Sequence, residues 1–160
     1  MKVVCTIVLH ASLTLSWYFE DERTPAADAL LDRVTEIGAT VPTLRRLEVA
    51  KGLQVAIRRK RCDVAFRDRA LAELSCVPIS VDVETDGFAW TATLQLATRF
   101  GLSVCDVCYL ELAQRQNVPL GTRDVLPHGG GGAGHLDGGC GGAASPVKSE
   151  HLPTACGASW

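Results

Sequence analysis

The sequence predicts a parallel α/β domain in which short buried strands alternate with helices. Several short segments are continuously apolar and rich in β-branched residues, which is the pattern of strands buried on both faces. Between these segments, apolar residues recur at helical spacing, and prolines, glycines and capping residues mark where helices begin and end. Strands and helices that alternate in this way are typical of a parallel sheet covered by helices on both sides.

The first strand is predicted over residues 3–9, which are apolar and include several β-branched side chains. Thr24 is a good capping residue and Pro25 suits the first helical position, so the pair predicts the start of a helix. Apolar residues then recur at helical spacing as far as Gly38, which predicts the end of that helix.

The same alternation continues to the end of the apolar part of the chain. Asp63 is predicted to cap one of the helices, and Gly101 is predicted to close another. The predicted strands cover residues 39–41, 78–81, 102–104 and 118–122, and the predicted helices cover residues 44–60, the segment after Asp63, 85–100 and 106–116.

Composition bounds the organisation of the chain. The 160 residues are 47% hydrophobic and 21% charged, which predicts one globular domain. Ten of the 15 glycines fall in residues 127–160, so residues 1–126 are predicted to form the domain and residues 127–160 a disordered glycine-rich tail. The formal net charge of -2 excludes a global field that would hold a nucleic acid or an anionic membrane.

Cysteine usage and hydropathy predict a cytoplasmic protein. The seven cysteines are odd in number and irregularly spaced, which favours reduced thiols over a disulfide framework. No apolar run approaches the ~20 residues that span a bilayer, so no membrane association is predicted. Cys105 and Cys108 form a C-x-x-C pair, but the surroundings of a thioredoxin-like site are missing and packing is the favoured interpretation.

Four polar residues mark a candidate site. His10, Asp106 and Asp124 each follow a predicted strand, and ligands of parallel sheets bind beyond the carboxyl ends of the strands. Glu48 lies in a helix that is otherwise apolar on that face, where an unpaired carboxylate is costly to bury. Converging carboxylates would suit Mg²⁺ or Mn²⁺ in phosphodiester hydrolysis, so we expect the four residues to share one cleft.

A purely structural interpretation of the same residues stays open. Asp106 could be a helix cap and Asp124 a turn residue. Glu48 could form an ion pair with Arg45 or Lys51 at helical spacing.

A basic segment gives a second indication of a nucleic-acid substrate. Nine of the lysines and arginines lie in residues 45–69, against three acidic residues, which is a local excess of +6. Such a patch attracts a phosphate backbone without selecting a sequence, although basic residues at a helix end also complement the helix dipole. The predicted RNA-binding residues are Arg58, Arg59, Lys60 and Arg61.

Three segments carry a family resemblance. The chain opens with VVCTIVLHASLTLSWYFEDE, continues with VPTLRRLEVAKGL around Glu48, and later has SVCDVCYLELAQRQNVPLGTRD, which contains Asp106 and Asp124. Together, and in this order, they resemble the VapC-like PIN-domain toxins of bacterial toxin-antitoxin pairs. The resemblance covers roughly residues 3–126.

The resemblance implies a parallel α/β fold and a ribonuclease whose acidic residues hold Mg²⁺ or Mn²⁺. Glu48, Asp106 and Asp124 match acidic positions of the family and are the implied catalytic residues, with water as the nucleophile. His10 stands where the family has its first aspartate, and it completes the implied metal ligands. The implied partners are RNA, a cognate antitoxin and a second copy of the chain.

Three departures from the family pattern leave a second hypothesis open. Imidazole at His10 is a poorer Mg²⁺ ligand than a carboxylate, and Lys51 stands where the family commonly has asparagine. The tail over residues 127–160 replaces a final helix and strand of the family. The alternative is therefore a catalytically degenerate PIN domain that acts only as an antitoxin-binding or self-associating module.

Overall fold

The computed structural model describes residues 6–123, which form one four-stranded sheet with helices around it. All strand pairs are parallel, as predicted, and the α/β fold class is confirmed. Asp124 and the predicted tail over residues 127–160 lie outside the described residues. The strands are β1 (Ile7–Leu9), β2 (Ala39–Pro42), β3 (Ile79–Asp82) and β4 (Leu120–Gly121), and their spatial order is β3-β2-β1-β4.

Seven helices connect and cover these strands in the described part of the chain. None of them combines the length and the apolar character that a membrane crossing requires. They are α1 (Ala11–Ser16), α2 (Pro25–Ile37), α3 (Arg45–Arg58), α4 (Val64–Ser75), α5 (Thr85–Phe88), α6 (Ala92–Phe100) and α7 (Val104–Gln116).

The predicted helix caps are confirmed. The Thr24 side chain accepts a hydrogen bond from the backbone N–H of Ala27 at 3.1 Å, and α2 ends at Gly38, whose φ of 77° lies in the left-handed region that glycine tolerates. The Asp63 carboxylate accepts a hydrogen bond from the Phe66 N–H at 2.7 Å at the start of α4. Local capping chemistry therefore determines where these helices begin and end.

Two predicted elements differ from the structure. Residues 102–104 are not a strand, because the Ser103 hydroxyl accepts the Asp106 N–H at 3.1 Å and starts α7 there. The predicted helix over residues 85–100 is interrupted between α5 and α6, where Thr91 has a φ of -121° and a ψ of -100°. Gly87 and Thr91 are weak helix formers, and the exposed Trp90 gains no packing that would hold a continuous helix.

The core lies around β1, the inner strand next to both β2 and β4. Its three residues are completely buried, as is usual for a parallel strand covered on both faces. Helix α7 crosses β1 and β2 and is buried continuously from Val107 to Ala113. This packing brings the first turn of α7 to the carboxyl end of β1, where the candidate site lies.

Candidate functional site

His10 directly follows β1 and caps α1. Its Nδ1 accepts a hydrogen bond from the backbone N–H of Ser12 at 3.1 Å, and its Nε2 lies 3.2 Å from Asp106 Oδ1. Because a backbone N–H can only donate, Nδ1 is unprotonated, so the ring proton is on Nε2 and is donated to Asp106. The capping role thereby fixes the tautomer of a side chain that is only 5% exposed.

Asp106 lies in the first turn of α7 and is held from two sides. Besides the His10 contact, its second carboxylate oxygen accepts a hydrogen bond from the Ser103 hydroxyl at 2.6 Å. The side chain remains 38% exposed, and the N-terminus of α7 favours its negative charge. Asp106 is therefore a carboxylate that is held in place and open to solvent, so its oxygens are placed to ligate a cation.

Tyr109 joins Glu48 to this pair. The buried Tyr109 hydroxyl donates a hydrogen bond to Glu48 Oε2, and the Tyr109 ring centroid lies 4.3 Å from that of His10. Burial, and then the neighbouring Glu48 carboxylate, raise the pKa of Tyr109 far above its ordinary value. The hydroxyl therefore stays a donor at every physiological pH. We call His10, Glu48, Asp106 and Tyr109 the candidate site.

The alternative ion pair of Glu48 with Arg45 or Lys51 is not among the ion pairs of residues 6–123. The structure pairs Glu48 with Tyr109, whereas Arg45 donates to Thr14 at 3.1 Å and Lys51 is exposed. A signal for Tyr109 was present, because it follows Asp106 at the i, i+3 spacing that places two side chains on one face of a helix.

The predicted metal ligands are only partly brought together. His10 contacts Asp106 directly and Glu48 is joined to them through Tyr109, but residues 6–123 contain no group of three or more His, Cys, Asp or Glu side chains arranged to hold a metal ion. Both ring nitrogens of His10 are engaged, so it would have to give up a hydrogen bond to ligate a cation. Mg²⁺ often uses only one or two carboxylates and retains waters, so the oxygens of Asp106 and Glu48 fit it chemically.

The predicted RNA-binding residues differ in their surroundings. Arg61 forms ion pairs with Asp21 at 2.7 Å and Glu22 at 2.8 Å, which are distant in sequence and were not counted in the local charge excess. Its charge is therefore matched on the surface. Arg58, Arg59 and Lys60 are exposed like Arg61, but none of the ion pairs among residues 6–123 includes them.

The cysteine pair beside Asp106 is split between two environments. Cys105 is exposed, whereas Cys108 is buried in α7, and both are free thiols. Burial raises the pKa of Cys108 to about 11, so this thiol is protonated at neutral pH. These surroundings support packing rather than redox chemistry.

The comparisons with known proteins bear on the architecture. No family model and no curated protein matches the chain. Among solved structures, the chain is similar to the crystal structure of PAE2754 from Pyrobaculum aerophilum. The TM-score is 0.58 and the identity 19%, over 85% of this chain and 93% of that chain. This likeness shows the fold alone.

Replacing Tyr109 with phenylalanine should destabilise the fold by about 1–3 kcal/mol, because Glu48 would lose its buried donor. Urea unfolding at neutral pH measures this change. Tyr18 is the matched control, since its buried hydroxyl has no hydrogen-bond partner among residues 6–123, and Tyr18→Phe should be neutral or stabilising. Equal losses of stability in the two variants would contradict the assigned role of the Tyr109 hydroxyl.

Proposed function

We propose that the chain is a divalent-metal-dependent endoribonuclease and the toxin component of a toxin-antitoxin pair. The observation that carries the proposal is the connected arrangement of Asp106 and Glu48 through His10 and Tyr109 beyond the carboxyl end of β1. This edge is where ligands of parallel sheets bind. In sequence, Asp124 follows β4, the strand that pairs with β1, so it is the third acidic residue of the proposal.

The residues of the candidate site have distinct roles in this proposal. A bound Mg²⁺ or Mn²⁺ would supply an acidified water and would offset the negative charge that develops on the phosphate. Asp106 and Glu48 would hold the cation through carboxylate oxygens. His10 orients Asp106 by donating to Oδ1, and Tyr109 orients Glu48 by donating to Oε2.

The proposed partners follow from the same function. Exposed cations at the end of α3 attract an RNA backbone without selecting a sequence, and they are Arg58, Arg59 and Lys60. A cognate antitoxin and a second copy of the chain are the proposed protein partners, and the cytoplasm is the proposed compartment.

One observation favours a second candidate, a degenerate domain that only binds an antitoxin or itself. Each carboxylate oxygen of Asp106 already has a donor in the protein, His10 on one side and Ser103 on the other. Titration of the purified full chain with Mg²⁺ and Mn²⁺, followed by calorimetry and by cleavage of a labelled single-stranded RNA, separates the two candidates. Saturable metal binding together with metal-dependent cleavage supports the nuclease. The absence of both properties supports the degenerate domain.

The His10→Asp variant should bind Mg²⁺ and cleave RNA at least about tenfold better than the wild type, which is about 1.4 kcal/mol. Aspartate would replace an imidazole, whose two ring nitrogens already form hydrogen bonds, with a charged oxygen ligand. It also remains a good cap for α1, so the fold should be kept. If His10 of the wild type gives up a hydrogen bond and ligates the cation, the wild type should respond more to Mn²⁺ than to Mg²⁺, because imidazole tolerates Mn²⁺ better.

His10→Asn is the matched control for this gain. Asparagine also caps helices but adds no charge, so it should not raise Mg²⁺ affinity. If wild type, His10→Asp and His10→Asn bind both ions equally, then position 10 does not contribute to a metal site.

A further inference from the structure

A groove with a volume of about 560 Å³ lies between α3, α4 and strands β2 and β3, and none of its lining residues belongs to the candidate site. Its walls are mostly aliphatic, and no acidic side chain lines it among the described residues. Apolar surface of this kind is usually covered by another group when it is extensive. The side chains that form most of the wall are Val41, Val49, Leu71, Leu74, Ile79 and Val81.

Arg45 is a buried cation in the wall of this groove. It is 5% exposed, and it donates from Nη2 to the Thr14 hydroxyl at 3.1 Å. Within residues 6–123, its buried Nε has no hydrogen-bond partner and none of the ion pairs includes Arg45. Buried charges are normally paired with an opposite charge, so Arg45 is an unsatisfied donor for an anionic group.

The neighbourhood of Arg45 adds to this demand for an anion. Burial lowers the pKa of Arg45, and repulsion from Arg46, which also lines the groove, adds to this effect. A carboxylate bound in the groove beside Arg45 and Arg46 would supply the opposite charge that no ion pair among residues 6–123 gives them.

Strand β3 gives the groove an open edge. It is the outermost strand of the described sheet and pairs only with β2. Ile79 and Val81 lie two residues apart on β3, and both line the groove. Val83, two residues further along the chain, is 85% exposed. An exposed apolar edge strand can be extended by another segment, whose alternate side chains then enter the neighbouring pocket.

We propose that this groove binds an extended peptide segment of another protein, added along β3, with aliphatic side chains in the groove and a carboxylate at Arg45 and Arg46. Three features of the surface match three features of this occupant. The open strand edge matches an extended backbone, the aliphatic wall matches aliphatic side chains, and the two arginines match one acidic group. The proposal does not depend on nuclease activity.

Selection of a phage-displayed library of short random peptides on the immobilised full chain tests the proposal. The expected consensus is an acidic residue with valine, isoleucine or leucine two positions away. A synthetic, fluorescently labelled copy of the selected peptide should bind at least about tenfold more tightly than its twin with the acid replaced by its amide, as measured by anisotropy.

Two surface variants locate the binding site. Arg46→Gln and Val81→Lys should each weaken binding of the labelled peptide about tenfold or more. Both positions are exposed enough for the substitutions to leave the fold intact. Val64→Lys is the matched control, because Val64 is 51% exposed on α4 but does not line the groove. Arg45→Gln should abolish the preference for the acid, with circular dichroism as the check of folding.

Several results would overturn the proposal. These are selection without a consensus, equal binding of the acid and amide peptides, and undiminished binding to the Val81→Lys variant. Self-association of the chain that Val81→Lys abolishes, without any peptide selected, would assign the groove to a second copy instead.

Discussion

The Asp106→Asn variant is expected to lose metal-dependent RNA cleavage by about 100-fold or more, which is about 2.7 kcal/mol, while it stays folded. Asparagine is nearly the same size as aspartate. Its carbonyl oxygen can still accept from His10, and its amide can donate to Ser103, so the hydrogen-bonded frame of the site should survive. The variant lacks the charge that a divalent cation requires, and this single difference carries the expected loss.

Cleavage of a labelled single-stranded RNA, followed over a series of Mg²⁺ concentrations, measures the effect. Asp63→Asn is the matched control, because Asp63 is another aspartate at a helix start and asparagine caps as well as aspartate does. It should cleave like the wild type. If Asp106→Asn cleaves RNA as fast as the wild type, then Asp106 does not belong to the active site. The cleavage would then come from a contaminating nuclease, or the degenerate alternative would be favoured.

The sequence predicted those elements of the fold that local chemistry determines. Thr24 and Asp63 form their predicted caps because the donor and the acceptor lie three residues apart. Residues 102–104 were predicted as a strand because leucine and valine flank a serine there. The Ser103 hydroxyl instead caps α7, and periodicity does not reveal that choice.

The candidate site was predicted in part, for a related reason. The positions of His10 and Asp106 follow from the ends of elements, and the structure brings these two residues into contact. The partner of Glu48 is 61 residues away in sequence, on a helix that packs across the sheet, so only the tertiary fold could show it. The same holds for Arg61, whose acidic partners lie 39 and 40 residues away.

Arg115 is the centre of the most buried charge network among residues 6–123. Its guanidinium contacts Asp82 at 2.7 Å, Glu111 at 2.8 Å and Glu84 at 3.0 Å, and it lies over the ring of Phe88. The carboxylates of Asp82 and Glu111 are only 6% and 5% exposed. The network therefore joins α7 to the end of β3, and it depends on a single cation.

The pKa of Asp82 gives the network a pH dependence. Burial raises this pKa, but hydrogen bonds from Arg115 and Thr85 outweigh burial and hold it below its ordinary value. A carboxyl with a lowered pKa in the folded state stabilises the fold above its unfolded pKa of about 3.9. This contribution is lost as the pH falls through the lower, folded-state pKa.

The Arg115→Met variant should therefore lose about 3–5 kcal/mol of unfolding free energy at pH 7, because two buried carboxylates would lose their cation. Without Arg115, the Asp82 carboxyl would lose its largest lowering contribution while burial still raises its pKa, so the folded-state pKa should rise above that of the wild type and protonation between pH 7 and about pH 4 should recover part of the loss. Urea unfolding of the wild type and the variant at pH 7 and pH 4 measures the difference between their free energies of unfolding. This difference should become smaller on acidification.

Arg99→Met is the matched control, since the exposed Arg99 contacts the Phe100 ring and takes part in none of the ion pairs of the described chain. It should change stability by at most about 0.5 kcal/mol. If the difference in unfolding free energy between the wild type and Arg115→Met stays constant with pH, then lost packing, rather than uncompensated charge, accounts for the effect.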